Sequence, residues 1–483
     1  MKRILSLAIV FSLVLLGCSD TDQNPSGPNS NGSIDPTVYV AIGNSLTAGY
    51  QSGYLTEASQ MYSYPNLIAK QFNVNFVQPL IPAPGTGAAI SLTSMNPPTL
   101  VTGLNNLTAP SNMAHPAPYN NLGIPGSILY DALDTADITP KSINRGNPFF
   151  KLVLRDQVGF GKSIIEQALK LKPTLITFWL GNNDALGFAT SGGTSPAAPT
   201  QSAMFDGLVS NALTALRNGA PDASIVIANI PDVRTIPFFL TVGPQVAPVL
   251  LANGGLSIYY QRHGNKGPAI LTDTTNLMRQ QNVLLTLKGG AYAPLIGKPT
   301  GQWYRDLAAM LGVPVQTVIS LGIDTTKPFG VYPTNPWPDA LVLDIEEQST
   351  CATAIKAYNE SILSAVNRLS KPGKPIALVD INSAFNTIAA QGYSLAGEAL
   401  TIDFIKGGMF SLDGVHPSSK GHGIVANLFI DAMNKTFGAN IPKVHLANIP
   451  GIAVPMGKRG LPSITSWNIG PDVFNHAIRL FQQ

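Results

Sequence analysis

Three strand-like runs dominated by apolar residues constrain what this chain can fold into: TLITFWL at 174–180, SIVIANI at 224–230 and IALVDI at 376–381. A strand wetted on one face alternates apolar and polar residues, whereas a strand with no polar face has to be covered on both sides. The segments between them carry apolar residues at helical spacing. Residues 161–171 present Ile164, Ile165, Ala168 and Leu169 on one face, and 204–216 present Phe205, Leu208, Val209, Ala212 and Leu216. Ile355, Tyr358, Ile362, Val366 and Leu369 form a stripe over 353–369. Helices are also expected over 64–72 and 423–437, and an opening strand over 37–43. Strands alternating with helices specify an α/β fold, with a central parallel sheet buried between helices. Right-handed crossovers then bring the C-terminal ends of the strands to one edge, where ligands bind.

Composition agrees. Of 483 residues, 45% are apolar and 12% charged, enough to bury a large core and too apolar for general disorder. The formal charge of +3 comes without a basic tract, so nothing favours nucleic acid as a partner. The 45 glycines and 39 prolines imply many turns and long loops. Two stretches break the strand–helix rhythm, 73–117 and about 232–345, and are expected to be excursions over the sheet edge, the second a cap or subdomain. Residues 187–200 are expected to be a flexible loop, and 443–483 a loop-like tail on the domain with a short helix at 472–481.

The N-terminus has a different character. Lys2 and Arg3 precede an apolar run over 4–16, too short to cross a bilayer comfortably as a helix. Residues 1–17 therefore have the pattern of a secretory signal. The sequence LLGC at 15–18 resembles the bacterial lipobox, which implies acylation of Cys18 as the first mature residue. Residues 18–36 are polar and rich in Pro, Gly and Ser, the composition of a flexible tether. Ser19, and not an aspartate, follows the cysteine, with Asp20 one place later; by resemblance to other lipoproteins this favours the outer membrane. Cys351 is the other cysteine, expected as a buried structural thiol.

Chemistry concentrates in four short segments. VYVAIGNSLTAGY, 38–50, runs a strand into Ser45 at a small-residue turn. A serine hydroxyl needs a base to take its proton, and the base needs an orienting carboxylate. Among six histidines only His416, in SLDGVHPSSKGH, has an acid placed to hold its tautomer, Asp413 at i−3. GNND at 181–184 closes the TLITFWL strand; a side-chain amide there can donate to an oxyanion, or its asparagines and aspartate can simply cap the turn. NNLGIPGS at 120–127 offers a glycine amide or a plain loop.

Taken in order, GNSL, NNLGIPGS, GNND and DGVHP resemble the four sequence blocks of the SGNH (GDSL) hydrolase family. The resemblance covers roughly 37–230 and 350–437. It implies a three-layer α/β/α sandwich over 37–442, with the two excursions as insertions. It implies Ser45 as nucleophile, His416 as general base and Asp413 as its orienter. The Ser45 and Gly126 amides and the Asn183 side chain would form the oxyanion hole, and neither cofactor nor metal is called for. Asn44 departs from the aspartate usual in the family; being isosteric, it can keep the turn while removing a charge. The expected activity is that of an envelope-tethered serine esterase or lipase acting on carboxylic esters, with a carbohydrate O-acetyl esterase or a non-catalytic envelope binding lipoprotein as alternatives. Phe238, Phe239, Leu240, Val249, Leu250, Leu251, Tyr259, Tyr260, Trp303 and Trp337 would either core the second excursion or wall an acyl site beside Ser45.

Overall fold

Five parallel strands make the central sheet: β1 (Tyr39–Gly43), β2 (Asn121–Gly123), β3 (Leu175–Trp179), β4 (Ser224–Ala228) and β5 (Ile376–Val379), in spatial order β2-β1-β3-β4-β5. The computed structural model describes residues 28–95, 97–194, 198–252, 254–255, 257–262, 270–280, 282–319, 322–452 and 468–475. Every residue of β1, β3 and β4 is buried, as strands without a polar face require. Tyr39 registers with Leu175 and Gly43 with Trp179, so β1 and β3 end side by side. The strand order reverses between them, and in open parallel sheets such a switch point is where a crevice forms at the C-terminal edge.

Helices cover both faces, completing a three-layer α/β/α sandwich. On one face α1 (Tyr64–Phe72) packs against α5 (Ser419–Phe437), which also covers β4 and β5. Tyr64 stacks on Phe429 with ring centroids 4.7 Å apart and meets Trp179 of β3 edge-on at 5.7 Å. On the other face lie α2 (Ile164–Lys170), α3 (Ser202–Gly219) and α4 (Ile345–Leu369). The α3 and α4 stripes meet where Phe205 stacks on Tyr358 at 3.9 Å.

Several expectations are corrected. Helix α4 starts at Ile345, well before 353, because Asp344 caps it. The Asp344 carboxylate accepts from the Glu346 and Glu347 amides, and Glu347 accepts in return from the Asp344 amide at 2.7 Å. Within the first excursion, Thr86–Met95 and Pro98–Asn106 form an antiparallel hairpin, beside which Asn468–Ile469 pairs with Thr99 and Leu100. Residues 187–190 belong to the helix Asn183–Thr190 and are buried rather than loose.

The segment taken as tether is docked in its second half. Ser30 and Asn440 exchange backbone hydrogen bonds, the Ser33 amide donates to Phe437, and Ile34 is buried. Cys18 and residues 1–27 lie outside the described residues, as do most of 472–481 and His263 and His476.

The second excursion has strand pairs of its own, and its buried residues join the main core. Val283–Leu285 pairs antiparallel with Val342–Asp344, and Ser257–Tyr260 with Ile270–Asp273. Trp337 is buried against Phe329 and donates its indole N–H to Leu341.

Candidate active site

Beyond Gly43 the chain turns at once into a four-residue helix, Ser45–Ala48. Asn44 is its N-cap, and its Oδ1 accepts from the Leu46 amide at 3.0 Å. Gly43 is glycine because of close approach: a Cβ there would lie 1.8 Å from Thr47 Oγ1 and 2.9 Å from the Trp179 carbonyl. The turn is also held from β2, where Asn121 Nδ2 donates to the Thr47 carbonyl at 2.9 Å. Asn120 Nδ2 donates to Tyr39 of β1 at 2.8 Å. The two asparagines of NNLGIPGS therefore tie this segment to β1 and to the turn that carries Ser45.

The remaining residues arrive from other strand ends. Asn183 opens the helix that follows β3, and its Nδ2 donates to the Ser127 carbonyl at 2.8 Å, leaving one N–H of the amide for another acceptor. Gly126 lies in the loop after β2 at φ +82°, a left-handed conformation that glycine takes without strain. Asn147 Nδ2 donates to Pro125 at 2.8 Å and steadies that loop.

Asp413 and His416 precede α5, and both are buried. The ring Nδ1–H of His416 donates to Asp413 Oδ2 at 2.9 Å. The same oxygen accepts from the Gly53 amide at 3.2 Å. Asp413 Oδ1 accepts from the Val415 and His416 amides, each at 2.9 Å, and from Ser411 Oγ at 3.1 Å. Burial by itself opposes ionisation of this carboxyl, but the His416 ring and these donors outweigh it and hold its pKa below the usual value. The fully buried Tyr50 ring lies 4.9 Å from the imidazole, and burial pushes its phenol well above the ordinary range.

A recess at the switch point gathers part of this set. Asn44, Ser45, Asn182, Asn183 and His416 border it. Its walls are apolar, among them Leu46, Leu186, Val233, Ile236, Phe385 and Phe410. Its cavity volume is about 40 Å³. Gly126 does not border the recess; it stands one residue from Ser127, which accepts from Asn183. None of the ten residues considered for an acyl wall borders it either. Phe238, Leu250 and Trp337, for instance, are wholly buried in the hydrophobic core.

Sequence reasoning missed the actual walls. Phe385 and Phe410 come from a helix, Ile381–Gln391, and a loop that no motif marks, and Val233 and Ile236 from the turn after β4. In GNND, Asp184 acts as a tie: its Oδ2 accepts from the Leu129 amide at 2.9 Å and its Oδ1 from Thr200 Oγ1 at 2.8 Å. Cys351 is buried, and burial raises its thiol to about 12.

The profile of the GDSL-like Lipase/Acylhydrolase family matches residues 39–284 and 304–429, which takes in much of the second excursion as well as the four motifs. Among solved structures, a protein described as a GDSL-like lipase from Parabacteroides merdae aligns at 12% identity and a TM-score of 0.32, over 84% of this chain and 99% of that one. LAE5, an alpha/beta hydrolase from the metagenome of Lake Arreo, Spain, aligns at 11% identity and a TM-score of 0.32, over 82% of this chain and 94% of that one. No curated protein matches the chain.

Proposed function

Because the chain belongs to the GDSL-like lipase/acylhydrolase family and is in general terms an ester hydrolase, we propose that it is a serine esterase that cleaves short-chain carboxylic esters while anchored to the cell envelope through Cys18. Ser45 Oγ attacks the ester carbonyl as His416 takes its proton. Asp413 fixes the imidazole with Nδ1 protonated, which leaves Nε2 as the base. The tetrahedral oxyanion is held by the Ser45 and Gly126 amides and the remaining Asn183 N–H. The alcohol leaves with the proton from His416, and water then repeats the cycle on the acyl-serine.

The observation that carries this reading is that Ser45, Asn183 and His416 border one recess while Asp413 holds His416 from behind. The small cavity favours short acyl groups, acetyl included. The anchor rests on the sequence: the apolar run over 4–16, LLGC at 15–18 and the polar stretch that follows. Ser19 after the cysteine favours the outer membrane.

A series of 4-nitrophenyl esters from acetate to octanoate, set beside acetylated xylan, tests the reaction and its size limit. Hydrolysis that falls beyond butyrate and vanishes in Ser45→Ala is expected. Turnover that persists in Ser45→Ala refutes the serine mechanism.

A further inference from the structure

Asn182 occupies the N-cap position of the helix Asn183–Thr190, where an asparagine ordinarily accepts a hydrogen bond from the first turn. It makes no such bond. The residue is 4% exposed, and among the described residues neither Nδ2 nor Oδ1 of its amide has a hydrogen-bond partner. Buried amides are almost always paired, so this one stands out. It borders the recess beside Ser45. Asn44 borders the same recess from the end of the neighbouring strand; its Oδ1 is taken by Leu46, and among the described residues its Nδ2 has no partner.

Two residues that border the recess thus carry three buried, unpaired amide atoms, and neighbouring side chains such as Leu46, Leu186 and Phe385 can bond none of them. Apart from His416 no titratable side chain borders it, so nothing there would neutralise a charged ligand group. A donor and an acceptor on one amide, with a second donor on another residue of the same lining, match a hydroxyl, which both gives and accepts a hydrogen bond. We propose that Asn182 is a specificity-determining residue, and that the recess selects esters carrying a neutral hydroxyl within a few atoms of the scissile carbonyl, bonded by Asn182 with Asn44 Nδ2 as second donor. This rests on the esterase reading of Ser45. A site built to bond a hydroxyl discriminates strongly against the analogue that lacks it, because its own polar groups are then left unpaired.

The test compares kcat/KM within two substrate pairs, for wild type, Asn182→Leu and Asn182→Ala. One pair, 4-nitrophenyl 3-hydroxybutyrate and 4-nitrophenyl butyrate, places the hydroxyl on the acyl side. The other, glycerol monobutyrate and propyl butyrate, places it on the alcohol side. Wild type should favour the hydroxylated member of one pair, and both variants should reduce that ratio by roughly tenfold or more. Thermal midpoints should hold or rise, since leucine replaces an unpaired buried amide with an apolar group of similar size. Ratios that both variants leave unchanged, or midpoints that drop sharply in both, overturn the proposal. If wild type cleaves none of the four esters, the underlying esterase reading falls, and the proposal with it.

Discussion

Asp413 grips His416 twice: Oδ2 accepts the ring Nδ1–H at 2.9 Å, and Oδ1 accepts the backbone N–H of the same residue at 2.9 Å. The carboxylate thereby sets both the position of the histidine and its tautomer. In Asp413→Asn, Oδ1 can keep its three donors, but Nδ2 then faces the Gly53 amide and the ring Nδ1, which has to accept. The proton moves to Nε2 and the base is lost. Asp413→Asn should therefore fold and should lower kcat by about 10³–10⁴, as a wrong tautomer does in serine hydrolases. Adding Ser45→Ala should cost far less than the product of the single losses, because the three residues act as a unit. Steady-state kinetics on 4-nitrophenyl butyrate, with thermal melts of each variant, check both. Near wild-type kcat in Asp413→Asn removes Asp413 from the mechanism.

Two buried groups give stability opposite slopes with pH. Burial raises Asp184 to about 7 against hydrogen bonds from Leu129 and Thr200 that lower it. Between about pH 4 and 7 the native state therefore holds a proton that the unfolded chain has released, and this group makes stability fall as pH rises. Burial lowers His422 to about 3. The unfolded chain alone binds that proton between about pH 3 and 6.5, so this group makes stability rise with pH, and the depressed Asp413 adds acid lability below the unfolded carboxyl value. Asp184→Asn removes the falling component. Its Oδ1 can still accept from Leu129 and its Nδ2 can donate to Thr200. Urea melts at pH 4.5 and 6.5 should show the variant gaining more stability than wild type between the two, by up to about 1.4 kcal/mol per pH unit. An equal shift at both pH values contradicts the assignment.

The scaffold was largely legible because buried parallel strands and striped helices leave strong periodic signals. TLITFWL and SIVIANI became β3 and β4 almost to the residue. Strand β2 left no such trace, since three residues of Asn-Leu-Gly are held by asparagine ties and pairing with β1 rather than by an apolar run. The start of α4 was readable in principle from Asp344 and Glu347, three apart before an apolar stripe. The catalytic candidates were legible because their chemistry needs fixed residue types at fixed places. The recess walls were not: Phe385, Phe410, Val233 and Ile236 meet only through the fold. Asn182 was hidden for another reason, since an asparagine at a turn is expected to cap it and this one does not.

The proposed anchor predicts where the protein is found. Cys18→Ala should move it from the membrane fraction to the soluble fraction, or block its maturation, without changing the melting temperature of the domain. Metabolic labelling with a palmitate analogue should mark wild type and not the variant, and wild type should sediment with outer-membrane vesicles. Equal membrane partition of the two, or recovery with inner-membrane vesicles, counts against the anchor or its placement respectively.

The central claim is that Ser45 is an activated nucleophile, and a fluorophosphonate probe reports this without knowledge of the ester. Intact-mass analysis of the wild-type protein should show a single adduct, mapped to the peptide that contains Ser45. Ser45→Ala should take up none, and His416→Ala should react at least a hundredfold more slowly, in line with the loss of a general base of about 10²–10⁴. A wild-type protein that stays unlabelled beside a reactive serine esterase, or an adduct mapped to another residue, contradicts the account.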